Sequence, residues 1–308
     1  MPLRYNGKLI ELCREEAGET DYSTYNGVSQ AVSIEALKEG LIHCANTIYK
    51  VYPHYLDVKT IIDLVNGQQE YELPENAYLG AGIQSVRGSH DGDATNYFPL
   101  TLTDYNYEDN GATGEPTRYY LRGERTLLVT PIPDSSNGKL AINHAQWPDL
   151  PALRVGKIAS RTLNGGATEY ETIVLEDDTN LDETAIGLDE YLCVNDRDGN
   201  VTHYNAYYSA YDSGTRTITL DDALVSTGTI AVGDYITLGK YTTTHMKLDT
   251  LAEPIIRAFL RRRYYLGKSS EDIAAENENI IAFTAELVDS FNSRVRDAKQ
   301  VPYRGIYE

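Results

Sequence analysis

Residues 60–74, TIIDLVNGQQEYELP, mark the point where the chain changes from helix to strand. Asn66-Gly67 is a strongly favoured tight-turn pair. It separates a run rich in β-branched residues from a run in which polar and apolar side chains alternate, and Pro74 ends the second run. We therefore predict a β-hairpin in which TIIDLV is one strand and QEYELP is the strand that returns beside it.

Upstream of this stretch, the spacing of apolar residues predicts a helix from Ser33 to about Tyr52. Ser33 is suited to cap the helix N-terminus, and Pro53 ends the helix. The apolar positions that recur at helical spacing are Ile34, Leu37, Leu41, Ala45, Ile48, Tyr49 and Tyr52.

Downstream, the chain is predicted to form two β regions of different character. From Lys59 to Trp147, short strands are bounded by Gly, Pro, Asn or Asp, as in an antiparallel sandwich. From Leu153 to Thr244 the strands alternate more regularly, and this block carries 6 basic and 15 acidic residues. We interpret the second block as a small all-β domain inserted into the larger fold.

After His245 the pattern becomes helical again. Thr250 and Glu253 match a capping box, and Pro254 suits a first helical turn. A second helix is expected from Ser269 to about Lys299. The predicted fold class is α+β, and it divides the chain as follows: an α-helical bundle formed by 1–58 and 245–300, a central antiparallel β-sandwich-like domain at 59–152, an inserted all-β domain at 153–244, and an extended C-terminal tail at 301–308.

The composition excludes several functions. Lys and Arg number 27 against 46 Asp and Glu, a net charge of −19, so the surface repels phosphate backbones and tight nucleic-acid binding is not expected. Three scattered cysteines favour a reducing compartment and argue against a disulfide framework or a zinc site. No apolar run approaches the roughly 18 residues of a membrane span, so none is expected.

Catalytic motifs are weak in this sequence. Gly267-Lys268-Ser269 resembles the end of a phosphate-binding loop, but Arg262 stands where that motif needs glycine. Asp196, Asp198 and Asn200 resemble part of a calcium loop, but the closing Glu is missing. The six histidines show no metal-binding or triad spacing. We therefore expect no enzyme, no cofactor and no metal site, although a pair of catalytic carboxylates set by tertiary structure stays open.

The one strong basic cluster is Arg261-Arg262-Arg263, near the end of a predicted helix. Two interpretations are open. The arginines could simply complement the negative end of the helix dipole. Alternatively, they could form a basic contact surface on an otherwise acidic protein.

The order of these parts resembles the head-to-tail adaptor (connector) proteins of tailed bacteriophages, including the tail tubular protein A type. The resemblance rests on an ordered set of strand motifs and on the helices that flank them. The motifs are Tyr71-Glu72-Leu73-Pro74, Ile83-Gln84-Ser85-Val86, Gly114-Glu115-Pro116 with Tyr119 to Leu121, and Leu128-Val129-Thr130-Pro131-Ile132-Pro133.

This resemblance implies a non-enzymatic virion protein of the neck, assembled in the host cytoplasm. Such adaptors are similar in forming a ring, expected to be a dodecamer, beneath the portal protein, with tail tube, nozzle or fibre proteins on the other side. DNA passes through the ring during ejection, and an acidic lining would let it slide without sticking. The residues expected to bind the portal are Val301, Pro302, Tyr303, Arg304, Gly305, Ile306 and Tyr307.

Two other functions remain open at this stage. The first is a β-sandwich binding module that attaches fibres or recognises glycans of the host surface, with 153–244 as its binding part. The second is an enzyme that degrades cell-wall or surface glycans.

Overall fold

A computed structural model describes residues 4–18, 29–78, 83–89, 96–103, 111–123, 125–163, 170–178, 181, 183–187, 189–224, 230–266 and 268–300. These residues form a mixed α+β protein with four α-helices and several mostly antiparallel sheets, which confirms the predicted α+β class. The described residues fall into two compact units. The first draws on Met1–Thr47 and Pro148–Arg294, and the second contains Ile48–Trp147.

The helices lie where their sequence patterns predict them. Their bounds are α1, Asn6–Glu16; α2, Gln30–Val51; α3, Glu253–Tyr265; and α4, Ser270–Gln300. Ser269 caps α4 as expected, since its hydroxyl accepts a hydrogen bond from the N–H of Asp272 at 3.2 Å.

Two predicted caps are wrong by a few residues. Ser33 is buried inside α2, and the hydroxyl of Ser29 instead accepts the N–H of Val32 at 3.3 Å. Before α3, the Asp249 carboxylate accepts the N–H of Leu251 at 3.1 Å, so Asp249 rather than Thr250 caps this end. In both cases several capping residues lie close together in the sequence, and packing decides which one is used.

Within the first unit the helices pack against one another through small and apolar residues. A Cβ at Gly40 of α2 would come within 3.1 Å of the Cα of Ile256 in α3, so a larger residue there would require the two helices to shift by a few tenths of an ångström. His43 of α2 is 2.9 Å from the hydroxyl of Thr284 in α4. Leu9 of α1 and Leu260 of α3 are fully buried.

The second unit consists of two four-stranded sheets. Their strands are β1, Asp57–Asp63; β2, Glu70–Glu72; β3, Ile83–Ser89; β4, Phe98–Pro99; β5, Thr101–Leu102; β6, Arg118–Arg122; β7, Thr126–Thr130; and β8, Lys139–Ala145. One sheet has the order β1-β8-β3-β4 and the other β2-β7-β6-β5, with a parallel pair only at β5–β6. Side chains of both sheets form one core: Leu64, Tyr71, Leu73, Val86, Leu100, Tyr119, Leu127, Val129, Leu140 and Ile142.

The predicted hairpin at Asn66-Gly67 is wrong. Both strands exist, and the turn is present, but β1 pairs with β8 and β2 pairs with β7. The turn therefore carries the chain from one sheet to the other. Leu64, Tyr71 and Leu73 enter the shared core, and burying them against both sheets outweighs the local preference for a two-stranded ribbon, which is marginally stable by itself.

The 153–244 region forms a six-stranded closed barrel in the first unit. Its strands are β10, Gly156–Leu163; β11, Tyr170–Leu175; β12, Tyr191–Asn195; β13, Val201–Asp212; β14, Thr217–Leu224; and β15, Tyr235–Leu238, in the order β10-β11-β14-β13-β12-β15. The barrel has its own core: Val155, Ile158, Ile173, Leu175, Ile186, Leu192, Val194, Ala206, Tyr208, Ile218, Leu220, Ile230 and Ile236. Closure pairs strand edges that would otherwise be open to aggregation.

The chain enters and leaves the barrel through two adjacent segments. The strands β9, Leu150–Pro151, and β16, Thr242–Thr243, pair in parallel, with Leu150 opposite Thr242 and Pro151 opposite Thr243. We call residues 149–155 and 239–245 the barrel neck. Its backbone is held further by the N–H of Ala152, which donates to the carbonyl of Thr243 at 3.0 Å.

Candidate interaction sites

Arg261 on α3 is tied to two other helices. Its guanidinium binds both carboxylate oxygens of Glu276 on α4, at 2.7 and 3.0 Å, and also the carboxylate of Glu16 on α1 at 2.9 Å. The side chains of Arg261 and Glu276 are only 16% and 9% exposed. The bonds to Glu276 are the main reason that the pKa of Arg261 is raised. Arg261 therefore joins helices within the first unit.

Arg262 and Arg263 are also paired within the chain. Both reach the carboxylate of Glu39 on α2, at 3.5 and 3.0 Å. The guanidinium of Arg262 also lies 4.7 Å from the centre of the Phe259 ring. These two side chains are each 32% exposed, so part of each side chain faces solvent. Their role as a basic contact surface stays a prediction.

The predicted portal-binding segment, 301–307, lies outside the described residues. Its role also stays a prediction.

The barrel neck contains a polar site that the sequence did not indicate. The side-chain amide of Asn6, at the start of α1, donates to the carbonyls of Ala152 at 3.0 Å and Thr243 at 2.9 Å. Its backbone N–H donates to the carbonyl of Thr244 at 3.0 Å. Asn6 is fully buried. The Asn6 side chain therefore hydrogen-bonds both to the segment that enters the barrel and to the segment that leaves it.

A second layer of polar bonds fixes the outgoing segment to the barrel wall. Asn195 of β12 donates to the hydroxyl of Thr237 at 3.0 Å and accepts the N–H of Thr244 at 3.2 Å. The hydroxyls of Thr237 and Thr242 are 2.9 Å apart. All four residues are buried, so each bond counts for more than it would in water.

Arg154 packs against aromatic side chains in the same neck. Its guanidinium lies 4.3 Å from the centre of the Tyr5 ring and 3.7 Å from that of Tyr235. The ring of His245 lies 5.8 Å from that of Tyr5. Burial, followed by the positive charge of Arg154, lowers the pKa of His245.

Asp149 supplies a buried carboxylate at the neck. Its Oδ2 accepts the hydroxyl of Tyr204 at 2.8 Å, while its buried Oδ1 has no hydrogen-bond partner. Asp149 is 5% exposed. Burial raises the pKa of Asp149, against the opposing effects of the Tyr204 bond and the positive charge of Lys247.

Further along the barrel wall lies a group that we call the tyrosine face: Asp189, Glu190, Tyr191, Tyr207 and Lys240. Tyr191 and Tyr207 are opposite each other on β12 and β13. Their ring centres are 5.5 Å apart, at an angle of 62°. The ammonium of Lys240 lies 4.5 Å from the centre of the Tyr191 ring. The two acidic residues are exposed at the start of β12.

The weak motifs of the sequence have structural roles. The carboxylate of Asp196 accepts the N–H groups of Asp198 and Asn200, at 2.9 and 2.7 Å, and so closes the turn between β12 and β13. Lys268 and Ser269 lie between α3 and α4, while Gly267 falls outside the described residues. Among the described residues, no group of three or more His, Cys, Asp or Glu side chains could hold a metal ion.

These sites were hidden in the sequence because their members are far apart along the chain. Asn6 is 146 residues from Ala152 and 237 from Thr243. A single Asn at a helix start and a run of three threonines carry no pattern that joins them. The row of arginines was visible, but its carboxylate partners on three other segments were not.

Comparison with known proteins relates part of this chain to a protein family. A family model described as SU10 adaptor protein matches residues 9–156, just under half of the 308-residue chain. The matched range begins within α1 and ends at the first residue of β10. No curated protein matches the chain.

The match suggests a phage structural adaptor protein of the head-to-tail type, which is a virion component that contacts other phage head or tail proteins. Of the helices in the described residues, none is both long and apolar enough to cross a membrane.

Proposed function

We propose that this protein is a head-to-tail adaptor that forms a ring between the portal and the tail and lines part of the DNA ejection channel. The observation that carries the proposal is the adaptor family match, which extends from α1 to the beginning of the barrel. The role is structural rather than enzymatic, and the ring is a dodecamer of the tail tubular protein A type.

In this proposal the parts of the chain have separate tasks. The helices at the two ends form a bundle that faces the portal, together with 301–308. The two sheets of the second unit act as a β-sandwich that faces the tail tube, nozzle or fibres. Their shared core supports this assignment, as do the arginine bridges from α3 to α1, α2 and α4. The barrel is an added domain within the same subunit.

The charge of the chain supports a role in DNA passage. A net charge of −19 disfavours condensation onto DNA, since cationic side chains that would displace counterions are outnumbered. A ring of such subunits would present repeated negative charge to a passing genome. Low affinity is then an advantage, because ejection requires the DNA to move.

The proposal is tested by mixing the purified chain with the portal protein of the same phage. We expect a complex with several adaptor copies per portal ring, measured by native mass spectrometry and seen by negative-stain microscopy. A variant that ends at Gln300 should lose portal binding while its circular dichroism and thermal unfolding stay unchanged. A matched variant with Lys8→Ala, far from this end in sequence, should still bind.

Failure of the full-length chain to bind portal would overturn the adaptor proposal. A lone monomer in the absence of portal would not, because the proposal requires assembly on the portal. Portal binding that survives removal of 301–308 would overturn the role of that segment alone.

A second candidate is a binding module that attaches fibres or recognises surface glycans. The observation that favours it is the closed barrel, which has its own core and carries exposed tyrosines such as Tyr204. This function would be supported if the full-length protein bound host polysaccharide and lost that affinity when Tyr204 or Tyr207 was replaced by Ala.

A further inference from the structure

We propose that residues 304–308, in the C-terminal segment of the chain, pair as a strand with the open edge of β1 in the free subunit. The inference goes beyond the proposed function, in which 301–308 faces the portal. It adds that the subunit holds this segment on its own sheet before the portal is present.

Strand β1 has one side without a partner among the described residues. It lies at the end of the sheet order β1-β8-β3-β4 and pairs with β8 alone. Directly after β1, the N–H of Leu64 donates to the carbonyl of Gly138 at 2.9 Å, so Leu64 faces the β8 side. Because residues that face one partner alternate along an antiparallel strand, the backbone N–H and C=O groups of Lys59, Ile61 and Asp63 point to the open side.

The side chains along this edge are exposed. Ile61 is 48% exposed, and the Asp63 side chain is 75% exposed. Lys139 binds Oδ1 of Asp63 at 3.2 Å, which leaves Oδ2 for a second cation. Lys59 is exposed as well, with its ammonium 4.5 Å from the centre of the Tyr97 ring. A row of unpaired backbone groups of this kind is a template for a further strand.

Residues 304–308, RGIYE, have the same charge order as 59–63, KTIID. Each begins with a cation, has isoleucine in the middle and ends with an anion. Antiparallel pairing therefore sets opposite charges together at both ends and isoleucine against isoleucine: Arg304 with Asp63, Ile306 with Ile61, and Glu308 with Lys59. Parallel pairing would set like charges together, and an antiparallel shift by two residues would set charges against isoleucine, so one register fits.

The other face of the paired strands fits the same register. Thr60 and Ile62 are half-buried, and Ile62 packs against the core of the second unit. Tyr307 would lie opposite Thr60 and cover this side of the edge. A slip by one residue would instead turn Arg304 toward the core. Pro302 would lie beyond the end of β1, where its missing N–H removes no ladder hydrogen bond.

The segment that we assign to this edge is that of the same chain. Helix α4 ends at Gln300, and its last residues, 295–300, belong to the same compact unit as β1. Residues 301–303 would connect them to the new strand. Such a short tether gives the segment an effective concentration on the order of millimolar, which a second copy reaches only in a very concentrated solution.

The first test is a disulfide between the two strands in the full-length chain. In the proposed register, Thr60 and Tyr307 form a non-hydrogen-bonded pair, whose Cα atoms lie about 4.5 Å apart, within the range of a disulfide. Thr60→Cys with Tyr307→Cys should therefore form an intramolecular disulfide on oxidation, identified by mass spectrometry of the digested protein. The three native cysteines are buried.

The matched control is Thr60→Cys with Tyr303→Cys. It carries the same change in β1 and a second cysteine on the same face of the segment, but about 13 Å out of register. We expect the Tyr307 pair to give about tenfold more intramolecular disulfide than the Tyr303 pair.

Hydrogen exchange tests the strand without added cysteines. Ending the chain at Gln300 should speed the exchange of the amides of Lys59, Ile61 and Asp63 by about tenfold or more, because they lose their acceptors, while β8 stays unchanged. In the full-length chain, Arg304→Glu should have the same effect and Arg304→Lys should not. Circular dichroism verifies that each variant is folded.

Two results would show that the edge is guarded by its charged side chains alone and would overturn the inference. One is an equal disulfide yield for the two cysteine pairs, and the other is exchange at 59–63 that truncation leaves unchanged. A disulfide that joins two chains would also overturn it, in favour of strand exchange between copies.

Portal binding is measured separately on the disulfide-linked protein. If 301–308 binds the portal, the linked form should bind it about tenfold more weakly than the same variant after reduction, because the segment is then held on β1. Loss of portal binding in both forms, with the disulfide formed as expected, would count against the adaptor function and leave the strand on β1 in place.

Discussion

The hydroxyl of Tyr71 accepts a hydrogen bond from the backbone N–H of Val65 at 3.1 Å and donates one to the carbonyl of Gln68 at 3.0 Å. Tyr71 lies in β2, and its ring is buried in the core that the two sheets of the second unit share. One side chain therefore fills the core and fixes the turn that carries the chain between the sheets.

Replacing Tyr71 by Phe should destabilise the second unit by about 1 kcal/mol, because a partly buried N–H loses its acceptor while the ring stays in the core. Urea unfolding measures the change. The control is Tyr119→Phe in the same core, since the Tyr119 hydroxyl has no hydrogen bond among the described residues. An equal loss in both variants would contradict the role assigned to the Tyr71 hydroxyl.

Glu276→Gln should destabilise the first unit by about 1–3 kcal/mol, because it leaves the mostly buried guanidinium of Arg261 with only one carboxylate partner. The comparison is Glu11→Gln, which breaks the exposed pair of Glu11 with Lys8 and should cost less than about 0.5 kcal/mol. Chemical denaturation of both variants gives the two values. A loss of stability for Glu276→Gln no greater than that for Glu11→Gln would show that the ion pairs of Arg261 do not stabilise the packing of α3 against α1 and α4.

Asn6→Ala should loosen the barrel neck, because the carbonyl of Ala152 loses its donor and the carbonyl of Thr243 keeps only the N–H of Ala152. Leaving the Ala152 carbonyl unpaired should cost about 1–3 kcal/mol. Hydrogen exchange followed by mass spectrometry should show faster exchange at 150–155 and 240–245, with the barrel strands β12 and β13 unchanged. Lys8→Ala on the same helix is the control. Faster exchange throughout the barrel would mean that Asn6 supports the whole domain rather than the neck.

The free energy of unfolding of the Asp149→Asn variant should increase relative to that of the natural protein as pH rises. The pKa of Asp149 is raised by burial, so the folded state favours the protonated carboxyl. The stability that it contributes is present below the usual aspartate value of 3.8 and is lost as pH rises through the raised pKa. An asparagine avoids this loss and can still accept the Tyr204 hydroxyl.

Urea unfolding between about pH 3 and 8 tests this dependence and that of its control. Asp212→Asn is the control of opposite sign, because hydrogen bonds from Thr215 and Gly214 lower the pKa of Asp212. Its contribution is present above the usual value and is lost as pH falls. If the stability of both variants, measured relative to the natural protein, changed with pH in the same direction, the raised pKa of Asp149 would be contradicted.

The thiols of Cys13 and Cys44 should react very slowly in the folded protein. Burial raises the pKa of each to about 12, so the reactive thiolate is rare at pH 8. Titration with a chromogenic disulfide should detect three thiols per chain in denaturant and little reaction without it. Rapid native labelling that Cys13→Ser removes would show that this region opens.

Much of the local structure follows from the sequence. Apolar residues at helical spacing located α2, and Gly, Pro, Asn and Asp bounded the strands, because backbone conformation depends mainly on near neighbours. The Leu153–Thr244 region, which the sequence set apart by its strand pattern and charge, contains the six strands of the barrel. The order of the strand motifs indicated the adaptor resemblance, which the family match over 9–156 supports.

Strand partners, by contrast, depended on tertiary structure. Any two extended segments can form the same backbone hydrogen bonds, so TIIDLV and QEYELP read equally well as a hairpin or as strands of different sheets. What separates them is the burial of Tyr71 and Leu73 against strands up to about seventy residues away. The sequence determined that residues 60–74 leave the helix, turn and extend; the shared core determined that they join two sheets, because side-chain burial, not the backbone ladder, selects the partner.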